Sequence, residues 1–224
     1  WRQKAENFRY NVLAPLFGLH LNLAAAPDHT HPAGNAALMV ILGLDDARQF
    51  EEIVAAHEAG RIPNCRVMWG SCPTRFDPSQ APPGRHAAFM WEKLPYRLRS
   101  DPKNWDAEKQ RHGERMLALW SRHAPNLAAP GTVIDSFVQS PLDVERRLPN
   151  MRDGDLLIGA FSHGQVGYHR PFPGAGHYRT RIEGLYLCGS CCHPGGNVTG
   201  LPGHNAARVI AADLGLPDVA GARH

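Results

Sequence analysis

Large apolar side chains alternate with small or polar ones from Leu16 to Leu23, the period of a half-buried strand. The proline- and histidine-rich run from Pro27 to Pro32 reads as a loop, and Ala37 to Leu42 as a second apolar strand. Asp45 or Asp46 can cap a helix to about Ala59, closed by Gly60 and Pro63. Cys65 to Gly70 and His86 to Trp91 read as two further strands, joined by a long loop with Pro73, Pro78, Pro82, Pro83 and Gly84. The period then becomes helical from Trp105 to about His123, with Met116, Leu117 and Trp120 on one side and Asn104 as cap. Thr132 to Ser140 reads as a strand, and Pro141 opens a short helix to about Arg147, since a first turn tolerates proline. After a loop from Asn150 to Thr180, an apolar strand from Gly184 to Cys188 enters a glycine-rich turn and then a helix ending near Asp213.

Strands and helices do not alternate regularly, which predicts an α+β fold with a mixed sheet rather than a doubly wound one. The expected division falls near residue 125, giving a portion from 1 to 124 and another from 125 to 224.

Composition narrows the function classes. Hydrophobic residues are 43% and charged residues 20%, the balance of a chain that folds. A formal charge of +3, with arginines scattered rather than striped, gives no nucleic-acid footprint. No apolar run reaches membrane-spanning length, and Trp1-Arg2-Gln3-Lys4 does not open a signal peptide. The expectation is a soluble, cytoplasmic protein, with peripheral membrane association as the alternative. Because the chain starts at Trp1, residues upstream are expected.

Five cysteines include Cys188-x-x-Cys191, a spacing that invites a zinc or redox-dithiol reading. Cys188 ends an apolar strand, where it is expected to pack, and no second pair follows at finger-like spacing, so no metal is expected. His163, His169 and His177 share a loop at spacings that match no compact ligand pattern.

The stretch from Gly184 to Ala207 holds the chemistry. Glycines in the turn let backbone approach a ligand closely, and the helix start offers free N–H groups to an anion. The segment Cys188-Gly189-Ser190-Cys191-Cys192-His193-Pro194-Gly195-Gly196-Asn197-Val198-Thr199-Gly200 resembles the carboxy-terminal signature of phytoene-desaturase-like FAD oxidoreductases, within the wider flavin amine oxidase group. That signature is a strand, then Gly-Ala/Ser, then His-Pro-Gly-Gly-Gly, then a helix. Asp153-Gly154-Asp155, Gln165, Arg170-Pro171, Pro173-Gly174 and Tyr178-Arg179-Thr180 are similar to the segment before it. The resemblance covers about residues 125 to 215 and is looser from 1 to 124, where the family has its substrate domain.

The resemblance implies that Gly189 and Ser190 lie along the ribityl-phosphate part of FAD, and that His193, Pro194, Gly195, Gly196, Asn197, Val198 and Thr199 pass beside the flavin ring. A helix from near Thr199 would aim its positive end at the flavin. Asn197 replaces the family's usual third glycine, and Cys191-Cys192 stand where small or hydroxylated residues are commoner. His193 is a candidate for proton transfer, with a turn-shaping role as the bland alternative. Trp69, Phe89, Met90 and Trp91 would line an apolar substrate pocket, against plain core packing. Gln165 and Arg170 join that pocket, Arg170 facing FAD or a polar end of the substrate, against an ordinary loop salt bridge.

The family holds the FAD pyrophosphate on an amino-terminal strand, G-x-G-x-x-G turn and helix. No such unit occurs in these 224 residues, so the resemblance implies an FAD-binding domain completed by a companion subunit or by an upstream part, a companion being favoured. The implied activity is hydride transfer from an apolar, isoprenoid or terpene-like substrate to flavin, with an undefined electron acceptor; a split enzyme of the limonene-dehydrogenase kind fits. One alternative is a flavin amine oxidase with a polar substrate, whose aromatic cage and lysine are not found in the sequence. The other is a non-catalytic stabilising subunit, against which the intact Gly189-Ser190 and His193-Pro194-Gly195-Gly196 argue.

Overall fold

The computed structural model describes residues 1–162, 164–196 and 198–217. The chain divides into two compact units, Leu13–Pro149 and a second made of Trp1–Val12 with residues from Asn150 onward.

The Leu13–Pro149 unit is built on five strands, β1 (Leu16–Leu23), β2 (Val40–Leu42), β3 (Met68–Ser71), β4 (His86–Lys93) and β5 (Val133–Gln139), in the spatial order β2-β3-β4-β1-β5. Every pairing is antiparallel, so the expected mixed sheet is corrected to a purely antiparallel one. The expected boundary near residue 125 also moves. β5 pairs along β1 from Gly18↔Gln139 to Leu23↔Val133, which draws Val133–Gln139 into this sheet and places the division after Pro149.

The period-2 pattern explains the layering. Phe17, Leu19, Leu21 and Leu23 of β1, with Met68 and Met90, point to one face and are buried there against Trp105, Met116 and Trp120 of the long helix. The helices of this unit are α2 (Pro32–Ala36), α3 (Gln49–Glu58), α4 (Asn104–His123) and α5 (Pro141–Arg147). α4 crosses the sheet and touches β1, β2 and β5. His112 of α4 and Glu92 of β4, both fully buried, meet at 2.8 Å inside that core. α5 starts as expected, with Ser140 and Asp143 forming a capping box before Pro141. α2 starts at the last residue of the loop read at Pro27–Pro32, with His31 Nδ1 accepting from the Ala33 N–H.

The second unit carries α1 (Arg2–Glu6), α6 (Leu201–Asp213) and a long irregular loop between residues 150 and 200. The strand expected from Gly184 to Cys188 is reduced to one antiparallel bridge, Arg179↔Tyr186. A strand exists only through its neighbours, and in the described residues the segment around Arg179 is what pairs with it. Cys188, expected to pack, is exposed. No helix among the described residues is long and apolar enough to cross a membrane.

Candidate functional site

The turn that follows Cys188 is fixed from beneath by buried polar groups. Arg170 is fully buried, and its guanidinium donates to the carbonyls of Leu157, Ile158, Gly159, Ala160, Gln165 and Ser190 at 3.0 to 3.3 Å. Its charge also lies over the Phe161 ring, 4.1 Å from the centroid. Gln165, also buried, donates to the Arg9 carbonyl and accepts from the Arg9 N–H. Asp155 accepts N–H bonds from Asn11, Leu157 and Gly159 at 2.7 to 2.8 Å. These satisfied groups set the path of the loop, because a buried carbonyl without a donor is costly.

Above them the turn is open. A Cβ placed on Gly189 would meet only the Cys191 sulfur, at 3.9 Å, and one on Gly200 or Gly203 would meet nothing within 4 Å. Gly195 has φ 112° and rests against Phe161, and Gly200 precedes α6 with φ 68°, conformations that favour glycine. Exposed Val198 also adopts a positive φ, 59°, rare for a β-branched residue and characteristic of backbone shaped for a contact. α6 begins at Leu201 rather than near Thr199; Thr199 instead accepts the Leu201 N–H through its hydroxyl. Asn197 lies outside the described residues.

His193 is held by stacking on Tyr168, with ring centroids 5.1 Å apart and planes 13° apart. The Tyr178 hydroxyl donates to the His193 carbonyl and accepts from the Asn205 side-chain amide. The imidazole Nδ1 is buried with no hydrogen-bond partner among the described residues. Beside it a cleft of about 510 Å³ is lined by Tyr168, Tyr178, Arg179, His193, Asn205 and Arg208. Pro194 is exposed at the rim and Gly196 is half-buried, its would-be Cβ 3.1 Å from the Ser190 hydroxyl.

In the other unit, the sheet face opposite α4 carries Trp69, Phe89 and Trp91 of the expected apolar pocket, whereas Met90, one residue out of phase on β4, is buried in the closed core instead. Trp69 on β3 pairs with Trp91 on β4, and Phe89 lies 4.5 Å from the Trp91 ring. His20 and Phe137 continue the row across β1 and β5, their rings 6.1 Å apart. These side chains are half-buried except Phe137, which is exposed, whereas the opposite face forms the closed core. Burial lowers the pKa of His20, which favours its neutral form.

The structure thus gathers Trp69, Phe89 and Trp91 on one face and Gly189, Ser190, His193, Pro194, Gly195, Gly196, Val198 and Thr199 in one turn. Gln165 and Arg170 belong to the unit of the turn and not to that of the aromatic sheet face. The Arg170 guanidinium, weighed for FAD or a polar end of the substrate and for a loop salt bridge, is taken up by backbone carbonyls. Sequence reasoning missed His20 and Phe137, although both occupy the outward phase of amphipathic strands, and missed Tyr168 and Asn205, which only the loop path brings to His193. Among the described residues no group of three or more His, Cys, Asp or Glu is placed to hold a metal, and His163 lies outside them.

No family model matches the chain. It is 34% identical over 200 residues to the mouse "Pyridine nucleotide-disulfide oxidoreductase domain-containing protein 2", covering 86% of this chain and 33% of the relative. It is 30% identical over 213 residues to a limonene dehydrogenase subunit of Castellaniella defragrans, covering 90% of this chain and 37% of that protein. A third relative is the Arabidopsis thaliana "Prolycopene isomerase, chloroplastic", 30% identical over 157 residues, 65% of this chain and 24% of the relative. The chain is therefore similar to proteins named for oxidoreductase, dehydrogenase and isomerase functions, and spans 24 to 37% of the length of these three relatives.

Proposed function

We propose that this chain is part of an FAD-dependent oxidoreductase acting on an apolar, isoprenoid-like molecule, and that the turn from Gly189 to Thr199 is its contact with the flavin. The observation that carries this reading is the open glycine backbone leading into α6, next to a buried His193 Nδ1 that has no partner among the described residues. An anionic, planar-ended cofactor fits such a place: helix N–H groups and the dipole favour negative charge, and an unsatisfied imidazole nitrogen gains a hydrogen bond. Bound there, FAD supplies the capacity to accept a hydride. The chain's own residues position and shield. Gly189 and Ser190 admit the cofactor's backbone-hugging part, Arg170 keeps the Ser190 carbonyl in place, and His193 offers Nδ1 as a donor or acceptor.

The aromatic sheet face of Trp69, Phe89 and Trp91 is the proposed platform for the substrate, whose apolar surface it would remove from water. Two relatives carry the names of isoprenoid hydrocarbons, limonene and prolycopene, which supports an apolar substrate over an amine. The G-x-G-x-x-G unit for the FAD pyrophosphate is proposed to lie outside these 224 residues. The relatives are long enough to carry it on the same polypeptide, whereas the naming of the Castellaniella defragrans relative as one subunit of its dehydrogenase supports the companion-chain arrangement.

The test is anaerobic mixing of the purified full-length protein, loaded with FAD, with isoprenoid hydrocarbons and separately with primary amines. Bleaching of the flavin by a hydrocarbon alone is the expected result. Bleaching by amines alone would transfer the chain to the amine-oxidase reading, and no bound flavin under any condition would leave the stabilising-subunit reading.

A further inference from the structure

The proposed flavin contact leaves one chemical group of the turn unused. Cys191 and Cys192 are adjacent, and their sulfurs lie 3.8 Å apart. Adjacent side chains in extended backbone point to opposite faces; here the turn closed by the Cys192 N–H to the Gly189 carbonyl brings them to the same side. Cys192 is buried and packs with Tyr178 and Ala206, so its sulfur is fixed, while Cys191 is half-buried and reachable.

We propose that Cys191 and Cys192 form a peroxide-reactive dithiol, in which Cys191 is the attacking sulfur and Cys192 the resolving one. The proposal stands without the flavin reading. In the first step the Cys191 thiolate attacks a peroxide oxygen. An S–O bond forms, the O–O bond breaks, and hydroxide leaves and takes a proton to become water. The sulfur is oxidised by two electrons to a sulfenic acid and the peroxide is reduced. The Cys192 sulfur then attacks the Cys191 sulfur, forming S–S and breaking S–O, and its thiol proton leaves with the hydroxide as a second water. Two thiols and one hydrogen peroxide give one disulfide and two waters.

The surroundings divide the two roles. The hydrogen bond between the two sulfurs, with the nearby Arg170 cation, lowers the Cys191 pKa, while that same hydrogen bond and burial raise Cys192. Cys65 is raised by burial, and Cys72 is buried, so neither competes as a nucleophile. The bridge itself must be labile. Adjacent Cα atoms are about 3.8 Å apart, short of the usual disulfide span, so the ring is strained and easily reduced.

The experiment treats the full-length protein with one equivalent of hydrogen peroxide and maps cysteines by peptide mass. The expected result is loss of two hydrogens from the peptide holding Cys191 and Cys192, unchanged in Cys188→Ser and reversed by dithiothreitol. In Cys192→Ser a dimedone adduct is expected on Cys191. Iodoacetamide at pH 7 is expected to modify Cys191 at least about tenfold faster than Cys65. Oxidation that needs Cys188, that falls first on Cys65, or that is absent in wild type would each overturn the proposal, as would Cys192→Ser without an adduct on Cys191.

Discussion

Arg170 donates two hydrogen bonds to the carbonyl of Ser190, from Nε at 3.2 Å and from Nη2 at 3.0 Å. Ser190 lies at the head of the glycine turn, and the other donors of the same guanidinium hold the carbonyls of Leu157 to Ala160 and Gln165. One planar fork therefore couples two loop segments that share no sheet or helix.

Replacing Arg170 with lysine keeps the charge but loses the fork, since an ammonium cannot reach these carbonyls in the same plane. With several buried carbonyls left short of donors, the expected loss is about 3 kcal/mol or more. Chemical denaturation of Arg170→Lys checks it, and a change within experimental error would remove Arg170 from this role.

The buried pair of Glu92 and His112 joins β4 to α4. Glu92→Leu alone leaves the buried His112 nitrogen without this partner and is expected to cost about 1 to 3 kcal/mol, whereas Glu92→Leu with His112→Leu is expected to recover much of the loss. Urea unfolding of both variants measures the difference.

On the aromatic sheet face, Trp91→Ala removes a half-buried ring without opening the closed core on the other side. The affinity for a small isoprenoid hydrocarbon used as a probe is expected to fall by about tenfold or more. Titration calorimetry on the full-length protein gives the ratio, and equal affinities would move the substrate elsewhere.

Asp213 anchors the end of α6 through Arg179 and the Tyr186 hydroxyl, and these hold its pKa at about 2, below the ordinary 3.8. The folded value is the lower one, so the ionised form stabilises the fold above 3.8, and that contribution disappears as pH falls through about 2. Thermal midpoints of wild type and Asp213→Asn are expected to differ at neutral pH and to converge at about pH 2. A gap that persists at low pH would show that the effect is not electrostatic.

Local pattern made much of the fold legible. Leu16 to Leu23 forms the strand that its alternation predicts, and Ser140-Pro141 opens α5 because cap and first-turn chemistry are written in adjacent residues. The sheet's direction and the unit boundary were not legible, because they depend on β5 returning to pair with β1 across more than a hundred residues. The candidate turn was visible through its glycines. Its support was not: Arg170 was read as facing FAD, a polar end of the substrate or a loop salt-bridge partner, and only the folded loop shows it buried beneath Ser190. His193 was visible, but its stacking on Tyr168 was not, since nothing in the spacing of residues 168 and 193 implies contact.

Gly189 allows the most direct test of the flavin contact, because a Cβ there meets only the Cys191 sulfur, at 3.9 Å. The measurement is visible flavin absorbance per protein for full-length wild type and Gly189→Val, with far-ultraviolet dichroism and thermal midpoint recorded on the same samples. The expected result is a yellow wild type and a colourless but fully folded Gly189→Val. Equal flavin content in the two, or a folded wild type that takes up no FAD, would contradict it.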